Sequence, residues 1–292
     1  MLTIAMYIQH FGLAQYPFSL TPNTRYFLKL PSHQRAFDFI IEALRNGESF
    51  TKITGEVGTG KTMLCRKALN ALAVLKQRYA TAFIPNPFLN EEGIMHAVAE
   101  EFHLSFDPSA SYYDLLKLIT EELIRLSTEG KTAVLFIDEA QAMPEESLEA
   151  IRLLTTLESA SNGAIPLQVI LFGQPELDEL LQRPALRELN RDLSVSFQLT
   201  AVDRDGVEAY LDHRLIKAGY NGYSLFTQKA IDLIYQSSKG VPRLINILAH
   251  KSLMVAYGKG ASSLTDKHVK LAIEDTETVQ PLRSQKKHLF SS

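Results

Sequence analysis

The stretch Gly55-Glu56-Val57-Gly58-Thr59-Gly60-Lys61-Thr62 decides how this chain is read. It fits G-x-x-x-x-G-K-[ST]. The apolar run Ser49–Thr54 leads in, and a helical period carried by Met63, Leu64, Ala68, Leu69, Leu72 and Leu75 leads out. Strand, glycine-rich turn and helix N-terminus are the parts a phosphate cradle requires. The glycines let backbone N–H groups curl around an anion, and the helix dipole adds positive potential. On this reading Gly55, Glu56, Val57, Gly58, Thr59, Gly60 and Met63 surround the phosphates. Lys61 reaches the β- and γ-phosphates, and the Thr62 hydroxyl holds Mg²⁺.

Downstream, Ala133-Val134-Leu135-Phe136-Ile137 reads as a buried strand ending in Asp138-Glu139. Acids at a strand end are weak evidence alone. Beside a phosphate loop, Asp138 is expected to bind Mg²⁺ through its water shell, and Glu139 to polarise a water for attack on the γ-phosphate. A nucleoside triphosphatase is therefore expected. Gln174 follows the strand Leu167–Phe172 and either contacts the γ-phosphate or attacking water, or caps the helix after Pro175. Arg183, Arg187 and Arg191 precede the fifth strand. Arg191 first, then Arg187, would reach a neighbouring subunit's nucleotide; the alternative is a solvated surface residue. Arg243, in Gly240-Val241-Pro242-Arg243, opens a helix where positive charge opposes the dipole. It needs an anionic partner, either a nucleotide phosphate or an ordinary salt bridge.

Around these motifs, β-branched runs alternate with longer helical periods, the pattern of an α/β domain with a parallel sheet. Five strands are predicted: Ser49–Thr54, Tyr79–Ile84, Thr132–Ile137, Leu167–Phe172 and Ser194–Leu199. Ser32 precedes one helix, Ser111 with Asp114 makes a capping-box start for another, and Pro144 opens a third with Leu148, Ile151, Leu154 and Leu157 on one face. Beyond residue 201 only helical periods remain, at about Asp203–Ala218, Thr227–Ser238, Pro242–Tyr257 and Asp266–Thr276. The expected division is 1–200 for the nucleotide-binding domain with an N-terminal extension, 201–277 for a small all-α lid, and 278–292 for a polar tail.

The 292 residues carry a net charge of −3 and 46% apolar residues, ordinary values that exclude a disordered or collagenous chain. They give no basic field to favour nucleic acid. One cysteine makes neither an internal disulfide nor a Cys-based zinc site, and the eight histidines show no metal-ligand spacing. Cys65, inside the helix after the phosphate loop, reads as a packing residue. No charged n-region precedes an apolar core at the N-terminus, and no run of about 20 apolar residues crosses a bilayer. A cytoplasmic protein is expected.

Phosphate loop, acidic strand, polar sensor, arginine finger and helical lid in this order resemble AAA+ ATPases. More specifically, the chain resembles the ExeA/GspA-type ATPases of general secretion and their type IV pilus relatives, above all the branch serving mannose-sensitive haemagglutinin pili. The resemblance rests on Phe11-Gly12-Leu13, Pro17-Phe18, Thr21-Pro22, Gly55–Arg66, Asp138-Glu139-Ala140-Gln141 and Arg152-Leu153-Leu154. It continues in Gly173-Gln174-Pro175-Glu176-Leu177, His213-Arg214-Leu215, Ala218-Gly219 and Gly240-Val241-Pro242-Arg243. It implies a P-loop NTPase fold with a five-stranded parallel sheet, ATP with Mg²⁺, a homo-oligomer and a membrane-bound pilus or secretion partner at the inner membrane. It also implies an adenine pocket lined by Phe18, Thr21, Pro22 and Tyr26, although core packing explains Phe18 equally well. ExeA-type members continue into a transmembrane helix and a peptidoglycan-binding domain that this sequence does not contain, so membrane association is expected to need a partner. A DNA-associated AAA+ protein, a transposition helper or initiator-like switch, is the alternative.

Overall fold

In the strand Thr132–Ile137 (β3), Leu135 and Ile137 join one hydrophobic cluster while Val134 and Phe136 join another. This two-residue alternation shows a strand buried on both faces, which is why the sequence reads as an unbroken apolar run. The computed structural model describes residues 7–156, 167–193 and 195–276. Leu157, Ser194 and the 278–292 tail lie outside them.

The other strands are β1 (Phe50–Thr54), β2 (Tyr79–Ile84), β4 (Leu167–Gly173) and β5 (Val195–Gln198). All pair in parallel in the order β2-β3-β4-β1-β5. Helices α1 (Pro31–Asn46) and α2 (Lys61–Ala73) supply Ala36, Ile40, Leu64 and Ala68 to the cluster on one face. On the other face lie α3 (Glu91–Glu101), α4 (Tyr112–Thr128) and α5 (Glu145–Thr155), with Ile94, Leu115, Ile119 and Ile151 in its cluster. Two short helices, α6 (Glu176–Leu181) and α7 (Arg187–Asp192), precede β5.

Local chemistry explains most boundaries. Ser111 accepts a hydrogen bond from the Asp114 N–H while Asp114 reaches back to the Ser111 N–H, the reciprocal capping box the sequence predicts. Helix α1 starts at Pro31, one residue before Ser32, because proline presets the helical φ and has no N–H to leave unsatisfied. Ser32 instead accepts hydrogen bonds from the Thr200 N–H (3.3 Å) and hydroxyl (3.0 Å). The sequence reading missed α3, which is capped by Asn90 onto the Gly93 N–H.

The chain divides into two units, one of Pro31–Thr200 and one of the residues up to Leu30 together with those from Ala201 on. This corrects the expected placement of the N-terminal extension with the nucleotide-binding domain. Tyr7, Phe11, Leu13, Phe18 and Leu30 share a core with residues from α8 (Arg204–Lys217), α9 (Gln228–Ser238), α10 (Pro242–Gly258) and α11 (Asp266–Glu274). Arg214, only 5% exposed, fastens this segment. Its guanidinium donates to the carbonyls of Pro17 (2.6 Å) and Ser19 (3.2 Å) and to the Tyr210 hydroxyl (2.9 Å), and lies 4.8 Å from the Tyr26 ring centroid. Five donors in a planar fork suit this task, because a buried carbonyl such as that of Pro17, left unpaired, would cost about 1–3 kcal/mol. The Ala14 N–H meets the Ala218 carbonyl at 2.7 Å, and a Cβ on Gly219 would come 3.0 Å from the Ala14 side chain. The Phe11–Pro22 and His213–Gly219 motifs are thus two halves of one packing arrangement.

Candidate functional site

The register places the ends of β1 and β4 level, Thr54 opposite Gly173, with Ile137 of β3 opposite Leu171. The chain leaving these three strands therefore carries the phosphate loop, Gln174 and the Asp138-Glu139 pair to one edge of the sheet, where ligands of open α/β sheets bind.

Within the loop, Gly58 (φ 82°) and Gly60 (φ 102°) take left-handed conformations that admit side chains only with strain. The Thr59 hydroxyl ties the turn by donating to the Glu56 carbonyl at 2.8 Å. Lys61 is 6% exposed, and its ammonium donates to the Gly55 (2.7 Å) and Glu56 (3.1 Å) carbonyls. Burial pulls its pKa down, against the upward pull of the Glu139, Asp138, Glu56 and Glu176 carboxylates. A buried ammonium facing carbonyl oxygens gains most from a full anion. Val57 is half exposed, and Met63 lies in the first turn of α2.

The Thr62 hydroxyl donates to Asp138 Oδ2 at 2.6 Å. Strand β4 intervenes between β1 and β3 in the sheet, yet α2 brings Thr62 across to the acid. Asp138 is 3% exposed, and burial raises its pKa against hydrogen bonds from Thr62 and the Glu139 N–H. A carboxylate whose charge is disfavoured by burial, paired with a hydroxyl oxygen, is a donor set suited to a hard cation. Among the described residues no group of three or more His, Cys, Asp or Glu side chains is arranged to hold a metal. That is compatible with Mg²⁺, which commonly takes one or two protein ligands and completes its shell with water and phosphate oxygens.

Glu139 has φ 53°, in the left-handed region that costs a non-glycine residue about 1–2 kcal/mol. It turns the chain into a 3-10 turn, Ala140–Ala142. Two amides hold its carboxylate: Gln141 Nε2 donates to Glu139 Oε2 at 2.7 Å, and Gln174 Nε2 to the same oxygen at 3.2 Å. Gln141 Oε1 in turn accepts from the Gln174 backbone N–H at 2.9 Å. Sequence reasoning assigned Gln141 no role. A second residue it missed is His33, whose Nε2 donates to the Thr59 carbonyl at 2.9 Å.

The structure therefore brings Gly55, Glu56, Thr59, Lys61, Thr62, Asp138, Glu139 and Gln174 together through hydrogen bonds around the loop and the end of β3. Arg183, Arg187 and Arg191 make no hydrogen bond to these residues among the described ones. Arg191 pairs with Glu188 on its own helix at 2.8 Å, and Arg183 pairs with Glu145 at 2.7 Å. Arg187 is exposed, with no ion pair among the described residues. In the helical unit, Arg243 is exposed in the first turn of α10. Phe18 is 3% exposed with its ring against Phe226, and Tyr26 is 6% exposed beneath Arg214, so the core takes both rings. Thr21 and Pro22 are exposed.

Sheet order, phosphate loop and acidic strand end, followed by a helical part, constitute the P-loop AAA+ fold. Residues 44–181 match the AAA domain. Among known proteins, the chain is similar to General secretion pathway protein A of Aeromonas hydrophila, 36% identical over 275 residues. That match spans 94% of this chain and 49% of the relative, so the chain covers about half of its length. Among solved structures, Cdc6p of Pyrobaculum aerophilum superposes with a TM-score of 0.70 at 16% identity, covering 89% of this chain and 70% of that one. The Aeropyrum pernix ORC2 protein gives 0.67 at 16% identity, with 91% and 73% covered. These two likenesses concern the fold. Among the described residues no helix is long and apolar enough to cross a membrane.

Proposed function

We propose that the protein binds ATP with Mg²⁺ and hydrolyses it to ADP and phosphate, as a homo-oligomer supporting assembly of a type II secretion complex or a type IV pilus of the mannose-sensitive haemagglutinin kind. The observation that carries this reading is the convergence of Lys61, the Thr62–Asp138 pair and the amide-held Glu139 at one sheet edge.

Lys61 and the N–H groups of the loop bind and orient the triphosphate, while Thr62 and Asp138 hold the metal. When bound, Mg²⁺ supplies charge neutralisation at the phosphate oxygens. Glu139 accepts the proton of the attacking water, and Gln174, tied to the same carboxylate, orients that water or the γ-phosphate. Arg191 or Arg187 acts on the nucleotide of a neighbouring copy, and Arg243 on a nucleotide phosphate. Thr21 and Pro22 are the exposed parts of the segment assigned to the base.

The secretion role draws on the similarity to General secretion pathway protein A; the pilus role, and a place at the inner membrane through a membrane-bound partner, draw on the resemblance of the sequence motifs. The test is capture with the Glu139→Gln variant and ATP, which traps the bound state. Co-purification of a pilus or secretion membrane protein supports the assignment. A DNA fragment in its place, released steeply by salt, would overturn it in favour of a DNA-associated ATPase.

A further inference from the structure

Helix α1 begins beside the phosphate loop, although no motif links the two. His33, in its first turn, is 6% exposed, and its Nε2 lies 2.9 Å from the Thr59 carbonyl oxygen. A carbonyl only accepts, so Nε2 carries the proton. The same imidazole nitrogen sits 3.0 Å from where a Cβ on Gly60 would stand, so the ring is packed against the loop at the Thr59–Gly60 peptide. The neighbouring Ser32 is held by two hydrogen bonds from Thr200, which fixes the turn that presents His33.

In a planar trans peptide the C=O and the following N–H point in opposite directions. The Thr59 carbonyl is turned toward His33, so the Gly60 N–H is turned away from α1. That N–H belongs to the residue at the start of α2, where the helix dipole and the orphan N–H groups favour an anion. Gly60 at φ 102° has the freedom to rotate this peptide, since glycine populates both signs of φ readily. A tether on the carbonyl is what removes that freedom.

We infer that His33 is a positioning residue for nucleotide binding: by holding the Thr59 carbonyl it aims the Gly60 N–H at the phosphates. The inference rests on the ATP-binding reading proposed above. Burial lowers the His33 pKa, and the ring works as a neutral Nε2–H donor near neutral pH. Because the donor it aims serves phosphate and not the base, its loss costs ATP, ADP and pyrophosphate alike.

The test compares wild type, His33→Leu and His33→Gln for binding of fluorescent ATP, competition by pyrophosphate, and kcat and KM. One neutral hydrogen bond corresponds to about a three- to tenfold change in affinity. His33→Leu should weaken ATP and pyrophosphate by that factor and raise KM with kcat little changed, whereas His33→Gln, whose amide nitrogen reaches the place of Nε2, should recover most of the loss. Unchanged affinity in His33→Leu overturns the inference, as does equal loss in both variants. If His33→Leu does not fold, His33→Asn, whose amide stops short of Thr59, takes its place with the same two readings. Wild type failing to bind ATP would instead refute the ATPase reading itself.

Discussion

Gln141 Nε2 donates to Glu139 Oε2 at 2.7 Å, while Gln141 Oε1 accepts the Gln174 N–H. One side-chain amide thus joins the acid at the end of β3 to the residue after β4. It holds Glu139 in an orientation that its left-handed backbone alone would not secure. Gln141→Ala should therefore lower kcat by about tenfold, in line with loss of a group that orients a general base, and leave ATP affinity near wild type. Steady-state kinetics beside equilibrium binding make the measurement; an unchanged kcat would remove Gln141 from the mechanism.

Lys61 and Glu139 should fail differently. Lys61→Ala removes the cation buried in the loop and should abolish nucleotide binding, so micromolar ATP affinity in that variant would refute the phosphate-loop assignment. Glu139→Gln keeps the shape of the side chain and loses the base. It should bind ATP and not turn it over, as phosphate release would reveal.

The Thr62–Asp138 pair predicts a metal dependence. Chelation by EDTA should stop turnover in wild type, with Mg²⁺ restoring it. Thr62→Ala and Asp138→Asn should each raise the Mg²⁺ concentration needed for half-maximal rate by about tenfold or more, from loss of a ligand oxygen or of its charge. An unshifted Mg²⁺ titration in both would place the metal elsewhere.

For the arginines, the expected signature is cooperation between copies. In wild type the specific rate should rise with protein concentration, and Arg191→Ala or Arg187→Ala should flatten that rise. Arg191 is paired with Glu188 and must leave it to act, whereas exposed Arg187 need break no ion pair found among the described residues. If neither substitution changes the concentration dependence, the finger lies elsewhere.

Arg214→Ala tests the packing of the helical unit. It leaves the Pro17 and Ser19 carbonyls without their donor and uncovers the rings of Tyr26 and Tyr210. Stability should fall by about 2 kcal/mol, mainly from the buried Pro17 carbonyl and Tyr210 hydroxyl that lose their guanidinium partner. Urea unfolding followed by circular dichroism would show it, and a loss under about 0.5 kcal/mol would contradict the role given to Arg214.

The five strands and the meeting of the motifs were legible because β3 is an apolar run and the phosphate loop, the acidic pair and Gln174 each follow a strand; the strand order β2-β3-β4-β1-β5 was not read, because nothing local encodes which strands pair. Thr62 and Asp138, 76 residues apart, meet as a phosphate loop and an acidic strand should. Gln141 lay in plain view in Asp138-Glu139-Ala140-Gln141, but its part depends on a positive φ at Glu139 and on the β4 exit, neither of which local periodicity encodes. His33 is 26 residues from Thr59, and a lone histidine on a helix gives no signal until the loop lies against it. Helix α3 escaped notice because Gly93, the receiver of the Asn90 cap, looks like a breaker in the first turn. Residues 7–30 were misplaced for a similar reason: adjacency in sequence pointed to the sheet, while Arg214 and the helices that claim them come some 200 residues later.

That separation bears on how the protein is made. Pro31–Thr200 is one uninterrupted stretch, and its sheet can close as soon as β5 has left the ribosome. The first segment has no such liberty, since Pro17 waits for Arg214, 197 positions on, and Tyr7 for His250, 243 positions on. At about 5–20 residues per second, that is a delay on the order of ten to fifty seconds. Throughout it, Tyr7, Phe11 and Phe18 are apolar surface without a core, and a chaperone has its opening there.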